Sequence, residues 1–164
     1  ICIVMDDDII PGNNCIKNYF TECIKYNSIM GGNGRMGYNT TNPYNAPNKL
    51  APFPETGFRP ETKLVDFVGH LWCFKKDWLY HMFSIKPFTF DTGEDMHLCY
   101  SCKIKGNINT YICKQETEQD NCDITNGSLS CDKFASYLTM SQFTRKNVEN
   151  YFIKNYNLKL INKI

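Results

Sequence analysis

The chain has 164 residues, which suits one domain large enough to bury a hydrophobic core. Its 18 Lys and Arg residues outnumber its 17 Asp and Glu residues by one, so bulk charge favours neither nucleic acid nor an anionic membrane as a partner. No apolar run approaches the roughly 18 residues that a membrane span needs. No charged leader precedes the first apolar residues, so we expect a cytoplasmic location.

The first predicted element is a strand over Ile1–Met5, followed at once by Asp6, Asp7 and Asp8. Five consecutive apolar residues predict a strand that is buried on both faces. Three adjacent carboxylates at its end repel one another and lose hydration. A divalent cation with oxygen ligands, such as Mg²⁺ or Mn²⁺, would offset that cost. An acidic surface turn is the simpler alternative, because Asp is common in turns.

The next segments are predicted to be a helix, a short strand and a long loop. Apolar residues at helical spacing predict an amphipathic helix that faces the sheet: Ile16, Tyr19, Phe20, Cys23 and Ile24. A short strand follows at Ile29 and Met30. The Gly32-x-Gly34-x-x-Gly37 pattern has no phosphate-binding helix behind it, so we predict a flexible glycine loop. Residues 38–60, rich in Pro and Asn, predict a long binding or lid loop.

The second half alternates strands and helices, which indicates an α/β fold. Strands are predicted over 63–74 and 109–113, and helices over 77–83, 92–105 and 145–158. The helix at 77–83 should turn Trp78, Leu79, Met82 and Phe83 inward. Residues 115–129 are polar and predict a loop. The three His residues are scattered, so each is expected to pack rather than to bind.

The nine Cys residues predict a reducing compartment, because no secretory signal accompanies them. Most fall in apolar segments, where a free thiol behaves as a small hydrophobe. A zinc site is the alternative that remains open, through these residues: Cys99, Cys102, Cys113, Cys122 and Cys131. Their spacing matches no standard zinc finger, which favours buried thiols.

A second acidic feature is Thr92-Gly93-Glu94-Asp95, at the predicted start of a helix. A hydroxyl followed three residues later by an acid is the pattern of a helix capping box. A cap accounts for Asp95 alone and leaves Glu94 unexplained. If both acidic features meet in one crevice, one would hold a metal and the other would act as a general base.

These motifs together resemble a GT-A-fold nucleotide-sugar glycosyltransferase, closest to the inverting family-two type and its viral and bacterial relatives. The resemblance covers Ile1 to about Ile112. Three segments carry it: Val4-Met5-Asp6-Asp7-Asp8, Val65-Asp66-Phe67-Val68-Gly69 leading to Trp72, and Thr92-Gly93-Glu94-Asp95-Met96-His97-Leu98 with Lys103 and Gly106 behind it. It implies a mixed, mainly parallel sheet flanked by helices, and a chain lacking the family's N-terminal nucleotide-binding half.

The resemblance also implies roles for individual residues. Asp8, assisted by Asp6, would hold Mn²⁺ or Mg²⁺ on the diphosphate of a nucleotide-sugar donor, and Asp6 and Asp7 would contact that donor. Asp95 would be the catalytic base. Acceptor contacts would come from Gly69, Trp72 and Glu94, and the acceptor would be a glycan or another hydroxyl compound.

The same resemblance divides the chain as one partial domain of 1–164. Residues 1–31 would serve the metal and donor, 32–62 would be a flexible loop, 63–113 would serve acceptor and catalysis, and 114–164 would be a C-terminal loop and helix. A viral member would work in the host-cell cytoplasm. Two alternatives remain: a haloacid-dehalogenase-like phosphatase with Asp6 as nucleophile and Asp8 as acid/base, and an inactive carbohydrate-binding or structural remnant.

Overall fold

The computed structural model describes residues 1–37, 60–125 and 142–161. These residues contain five strands and four α-helices, in the following order along the chain. The elements are β1 (Cys2–Met5), α1 (Cys15–Tyr26), β2 (Ile29–Arg35), β3 (Lys63–Val65), β4 (Phe67–Phe74), α2 (Leu79–Phe83), α3 (Glu94–Gly106), β5 (Thr110–Ile112) and α4 (Gln142–Tyr156). The predicted α/β class is therefore confirmed.

The strands form one mixed sheet in the order β1-β4-β2-β5-β3. Only the β2–β5 pair is parallel; the β1–β4, β2–β4 and β3–β5 pairs are antiparallel. The prediction of a mainly parallel sheet is therefore wrong. Helix α1 connects β1 and β2 so that these two strands run in the same direction. Strand β4 lies between them and runs in the opposite direction, so both of its pairings are antiparallel.

Strand β1 lies at one edge of this sheet, so the prediction that it is buried on both faces is wrong. Its neighbour is β4, which pairs Ile3 with Cys73 and Met5 with Leu71. Val4 and Met5 are exposed, and Ile3 is half-buried. An apolar run cannot by itself distinguish a central strand from an edge strand.

Helix α1 forms where predicted, but its buried face differs from the prediction. Cys15, Tyr19 and Cys23 are fully buried against the sheet. The remaining predicted inward residues are exposed: Ile16, Phe20 and Ile24. The helix therefore carries two adjacent apolar stripes, one buried and one exposed. The prediction treated residues of both stripes as a single buried face.

The glycine-rich segment after Met30 is a strand, so the prediction of a flexible loop over 32–37 is wrong for Gly32 and Gly34. Both lie inside β2, which is seven residues long. A Cβ atom on Gly34 would lie 2.3 Å from Cγ2 of Ile112, and one on Gly31 would lie 2.2 Å from Cβ of Val68. Glycine is needed here because neighbouring side chains fill the space that a Cβ atom would occupy.

Helix α3 begins differently from the predicted capping box. The residue that caps it is Gly93, in the left-handed conformation with φ of 86°, and no side-chain capping hydrogen bond forms. Thr92 instead accepts a hydrogen bond from Nε of Arg145 at 3.3 Å. A capping box does form elsewhere, between Thr117 and Asp120. The capping prediction for Thr92 and Asp95 is therefore wrong.

The remaining helices lie close to their predicted positions. Trp78 is buried, while Phe83 at the end of α2 is exposed rather than inward. Helix α4 was predicted over 145–158; it begins at Gln142, ends at Tyr156 and buries Val148 and Phe152. No helix in the described ranges is long and apolar enough to cross a membrane.

The described Cys residues are mostly buried thiols, as expected. Seven are buried: Cys15, Cys23, Cys73, Cys99, Cys102, Cys113 and Cys122. Burial raises the pKa of the Cys99 and Cys102 thiols to about 12. Cys131 and the predicted long loop at 38–59 lie outside the described residues.

Candidate functional site

The turn formed by Asp6, Asp7 and Asp8, hereafter the acidic turn, leaves β1 beside strand β4. The Asp6 N–H donates to the carbonyl oxygen of His70 at 2.9 Å, which fixes the start of the turn. The His70 imidazole lies beside the Asp6 side chain, with Nδ1 4.0 Å from Oδ2 of Asp6. His70 has a φ of 63°, a left-handed conformation that is uncommon for a residue with a side chain.

The segment after the acidic turn is held by the 119–124 segment. The Gly12 N–H donates to the carbonyl of Asn121 at 2.9 Å, and the Ile124 N–H donates to the carbonyl of Ile10 at 2.8 Å. A Cβ atom on Gly12 would lie 2.4 Å from the backbone oxygen of Gln119, so this close approach requires glycine. These contacts fix the backbone on the C-terminal side of the acidic turn.

Asp8 carries a buried oxygen that no group satisfies. Its Oδ1 atom is shielded from solvent and has no hydrogen-bond partner among the described residues. A buried carboxylate oxygen without a partner is costly, because its hydration is lost and nothing replaces it. A bound cation would supply the missing interaction.

Asp95 lies in the first turn of α3, behind Gly93, and is only 5% exposed. Its Oδ1 atom accepts the Met96 N–H at 2.7 Å, and its Oδ2 atom lies 3.5 Å from Nη1 of Arg145 on α4. A Cβ atom on Gly69 would lie 3.6 Å from the same Oδ2 atom. A side chain at Gly69 would therefore be in van der Waals contact with this carboxylate.

The pKa of Asp95 is raised above the usual value of 3.8. Burial is the largest cause, and the charges of Glu94 and Asp6 act in the same direction. Arg145 and the hydrogen bond from the Met96 N–H oppose the rise. A carboxylate whose proton affinity is increased in this way is better matched to general-base work than an exposed one.

The pKa of Asp6 is also raised, and its causes connect the two acidic features. Partial burial is the largest cause; His70 opposes it, and the charges of Asp8, Glu94 and Asp7 add to it. The charge of Glu94 raises the pKa of Asp6, and the charge of Asp6 raises the pKa of Asp95. The acidic turn and the start of α3 therefore lie within electrostatic range of each other. Asp6 is hydrogen-bonded to the backbone of His70 and Asp95 lies beside Gly69, so the two acidic features meet adjacent residues of β4.

Most of the predicted site residues belong to this cluster. Asp6, Glu94, Asp95 and Gly69 lie near one another, and Asp7 and Asp8 adjoin Asp6. Trp72 is half-buried and donates its indole N–H to the carbonyl of Val68 at 3.0 Å. That bond occupies the one polar group of its side chain.

Sequence reasoning missed two residues of the cluster, Arg145 and His70. Arg145 comes from α4, far along the chain, and no motif connects it to Asp95. The only sequence feature that sets Arg145 apart is its residue type, because the chain has three Arg and fifteen Lys residues. The sequence predicts packing for His70, because the three His residues are scattered along the chain.

The donor set suits a divalent cation held by two carboxylates. Asp6 and Asp8 follow the same strand end, their charges repel, and Asp8 has an unsatisfied oxygen. No group of three or more His, Cys, Asp or Glu side chains within residues 1–37, 60–125 and 142–161 has the arrangement of a complete metal site. Mg²⁺ commonly binds through one or two carboxylates, with water and substrate phosphates as further ligands, so two residues suffice.

Comparison with protein-family models, with curated proteins and with solved structures found no match for this chain.

Proposed function

We propose that this chain is the acceptor-side and catalytic part of a metal-dependent glycosyltransferase with a GT-A fold. It would move a sugar from a nucleotide-diphosphate donor to an acceptor hydroxyl, with inversion at the anomeric carbon. The observation that carries the proposal is geometric: Asp6 is hydrogen-bonded to the backbone of His70, and Asp95 lies beside Gly69, the preceding residue of β4. If the acidic turn were only a surface turn and Asp95 only part of a helix start, we would not expect their carboxylates to influence each other electrostatically.

Asp8 and Asp6 would hold Mn²⁺ or Mg²⁺ in this reaction, and Asp7 would contact the donor. The bound cation supplies positive charge that stabilises the departing nucleotide diphosphate. The unsatisfied Oδ1 atom of Asp8 supports its place as the main ligand. Burial, and after it the charges of neighbouring acids, raises the pKa of Asp6, and a bound cation would oppose both effects.

Asp95 would accept the proton of the attacking acceptor hydroxyl. Burial and the acidic neighbours raise the pKa of Asp95, and Arg145, 3.5 Å from Oδ2, opposes that rise. Gly69 places no side chain against Oδ2, and Glu94 is exposed at the preceding position. In this proposal the hydroxyl would approach Asp95 from the side of Gly69.

The test is a donor panel assayed for release of the nucleoside diphosphate. UDP-glucose, UDP-galactose, UDP-N-acetylglucosamine and GDP-mannose are each incubated with the protein and Mn²⁺, with and without chelator. We expect turnover or hydrolysis of one donor that chelator abolishes. The same preparation is given p-nitrophenyl phosphate, since a phosphatase would use the same two carboxylates, Asp6 and Asp8.

The two assays separate the alternatives. Metal-dependent cleavage of a nucleotide sugar without phosphate release from p-nitrophenyl phosphate supports the transferase. Phosphate release without donor cleavage would replace it with the phosphatase. Inactivity in both, by protein that melts cooperatively, would favour the inactive remnant.

A further inference from the structure

His70 occupies an irregular position of β4 beside the acidic turn. Its φ of 63° lies in the left-handed region, where glycine or asparagine is the usual residue. One residue separates Gly31 from Asn33 on β2. Their partners on β4, Trp72 and Gly69, are separated by two residues. The extra residue on β4 is a β-bulge, and bulges beside functional sites re-aim a side chain.

At this bulge the imidazole of His70 lies beside the carboxylate of Asp6. The Asp6 N–H donates to the His70 carbonyl oxygen at 2.9 Å, so the two backbones are joined. Nδ1 of His70 lies 4.0 Å from Oδ2 of Asp6. Two atoms that bind one cation at about 2.1 Å each can be no more than about 4.2 Å apart, so a single ion can bridge this pair.

Both side chains of this pair can be reached from solvent. The His70 side chain is 34% exposed, and the Asp6 side chain is 44% exposed. A cation can therefore meet the imidazole and the carboxylate without displacing a core residue. No three His, Cys, Asp or Glu side chains in the part of the chain that the structure describes already surround a metal position. Binding would therefore draw His70 towards Asp6, and water or phosphate oxygens would complete the coordination.

An imidazole ligand selects among divalent cations. Mg²⁺ takes oxygen ligands and gives up its water reluctantly. First-row transition-metal ions accept imidazole nitrogen, and neutral His is the commonest metal ligand in proteins. A site with carboxylates and one imidazole therefore favours a transition-metal ion such as Mn²⁺ over Mg²⁺.

We propose that His70 is a nitrogen ligand of the cation that Asp8 and Asp6 hold, and that this ligand makes the site selective for a transition-metal ion over Mg²⁺. The metal site itself rests on the proposed function, which leaves the choice between Mn²⁺ and Mg²⁺ open. Three observations support the added ligand: the separation of His70 and Asp6, the exposure of both side chains, and the bulge that places them together.

Electron spin-echo spectroscopy of the whole chain with bound Mn²⁺ tests the coordination directly. An imidazole bound to Mn²⁺ gives a nitrogen modulation that carboxylate and water ligands do not give. We expect this modulation in wild type and its loss in His70→Gly, which should fold because glycine suits the left-handed backbone. His81→Gln, at a half-buried His on α2, is the matched control and should keep it. Bound Mn²⁺ without the modulation in wild type, or with the modulation in His70→Gly, would overturn the proposal.

Calorimetric titration with MnCl₂ and with MgCl₂ tests the selectivity. We expect His70→Gly to weaken Mn²⁺ binding by about tenfold and Mg²⁺ binding by less than about twofold. His70→Asn also suits the left-handed backbone and offers an oxygen ligand in place of the imidazole, so it should lose Mn²⁺ selectivity in the same way. An equal loss for both cations, or no loss for either, would overturn the proposal.

Asp8→Ala separates this inference from the proposed function. If Asp8→Ala loses Mn²⁺ while His70→Gly keeps its Mn²⁺ affinity, His70 is not a ligand and the metal site of the proposed function stands. If wild type binds neither Mn²⁺ nor Mg²⁺, the metal site is wrong and the role of His70 falls with it.

Discussion

The guanidinium of Arg145 holds the start of helix α3 at two points, and one of them is the carboxylate of Asp95. Nη1 lies 3.5 Å from Oδ2 of Asp95, and Nε donates to the hydroxyl of Thr92 at 3.3 Å. The hydroxyl expected to cap the helix thus binds an arginine from another element. This contact attaches α4 to the candidate site and opposes the rise in the pKa of Asp95.

Arg145→Ala should move the acid limb of the pH–rate profile to higher pH. Without the guanidinium, burial and the acidic neighbours act on Asp95 unopposed by its main positive partner, so its pKa rises further. The measurement is kcat/KM for donor turnover across the acidic range. Arg145→Lys is the control, because it keeps a positive charge and should shift the limb less. An unshifted acid limb in Arg145→Ala would show that Asp95 does not set it.

Arg145→Ala should also destabilise the fold, by about 2 kcal/mol, because it leaves a buried carboxylate without its charged partner. The partial exposure of the Arg145 side chain places this cost below that of a fully buried pair. Urea unfolding near neutral pH measures the change. At a pH low enough to protonate Asp95 the difference from wild type should shrink, and a constant difference would contradict the ion-pair explanation.

Asp8→Ala should abolish metal-dependent binding of a nucleoside diphosphate. Asp8 combines an unsatisfied buried oxygen with a position next to Asp6, so it is the carboxylate most dependent on a cation. Calorimetric titration with UDP or GDP, with and without Mn²⁺, provides the measurement. Asp77→Ala, at an exposed acid outside the acidic turn, should bind as wild type does. Metal-dependent binding that survives Asp8→Ala would remove Asp8 from the site.

Asp95 should contribute a loss of stability as pH rises through the acidic range, and Asp95→Asn should remove that contribution. The folded-state pKa of Asp95 lies above 3.8, so the folded chain binds this proton more tightly than the unfolded chain does. Its stabilising contribution is present below pH 3.8 and is lost as pH rises through the folded pKa. Unfolding free energies across that range measure the effect. An equal fall in wild type and variant would contradict the raised pKa.

The sequence predicted where strands and helices lie along the chain better than it predicted what they pack against. Strand β5 and helices α1, α3 and α4 follow from local periodicity, and buried Cys residues follow from apolar neighbours. Whether β1 is central or at an edge depends on which strand pairs with it, and β4 comes some sixty residues later. Gly32 and Gly34 lie in a strand whose neighbours pack where a Cβ atom would stand: Cys122 beside Gly32, and Ile112 and Val65 beside Gly34. These contacts come from distant parts of the chain, so the local sequence does not reveal them.

The candidate site was predictable in part for the same reason. The acidic turn and Asp95 stand beside recognisable strand and helix ends, so the sequence indicates them. Arg145 reaches Asp95 only through the packing of α4 on α3, and no local pattern encodes that contact. His70 joins Asp6 through a left-handed backbone conformation that an apolar strand pattern does not predict.

The most direct test of the account is sugar transfer by Asp95→Asn, measured beside its melting temperature. Asn keeps the shape of Asp and can still accept the Met96 N–H, but it cannot take a proton from the acceptor. Asp91→Asn is the control, since Asp91 is an exposed acid bonded locally to Thr89. We predict a loss of transfer on the order of 100-fold or more in Asp95→Asn, with donor binding retained and the control unaffected. An Asp95→Asn protein that melts and transfers sugar as wild type does would contradict the catalytic role of Asp95.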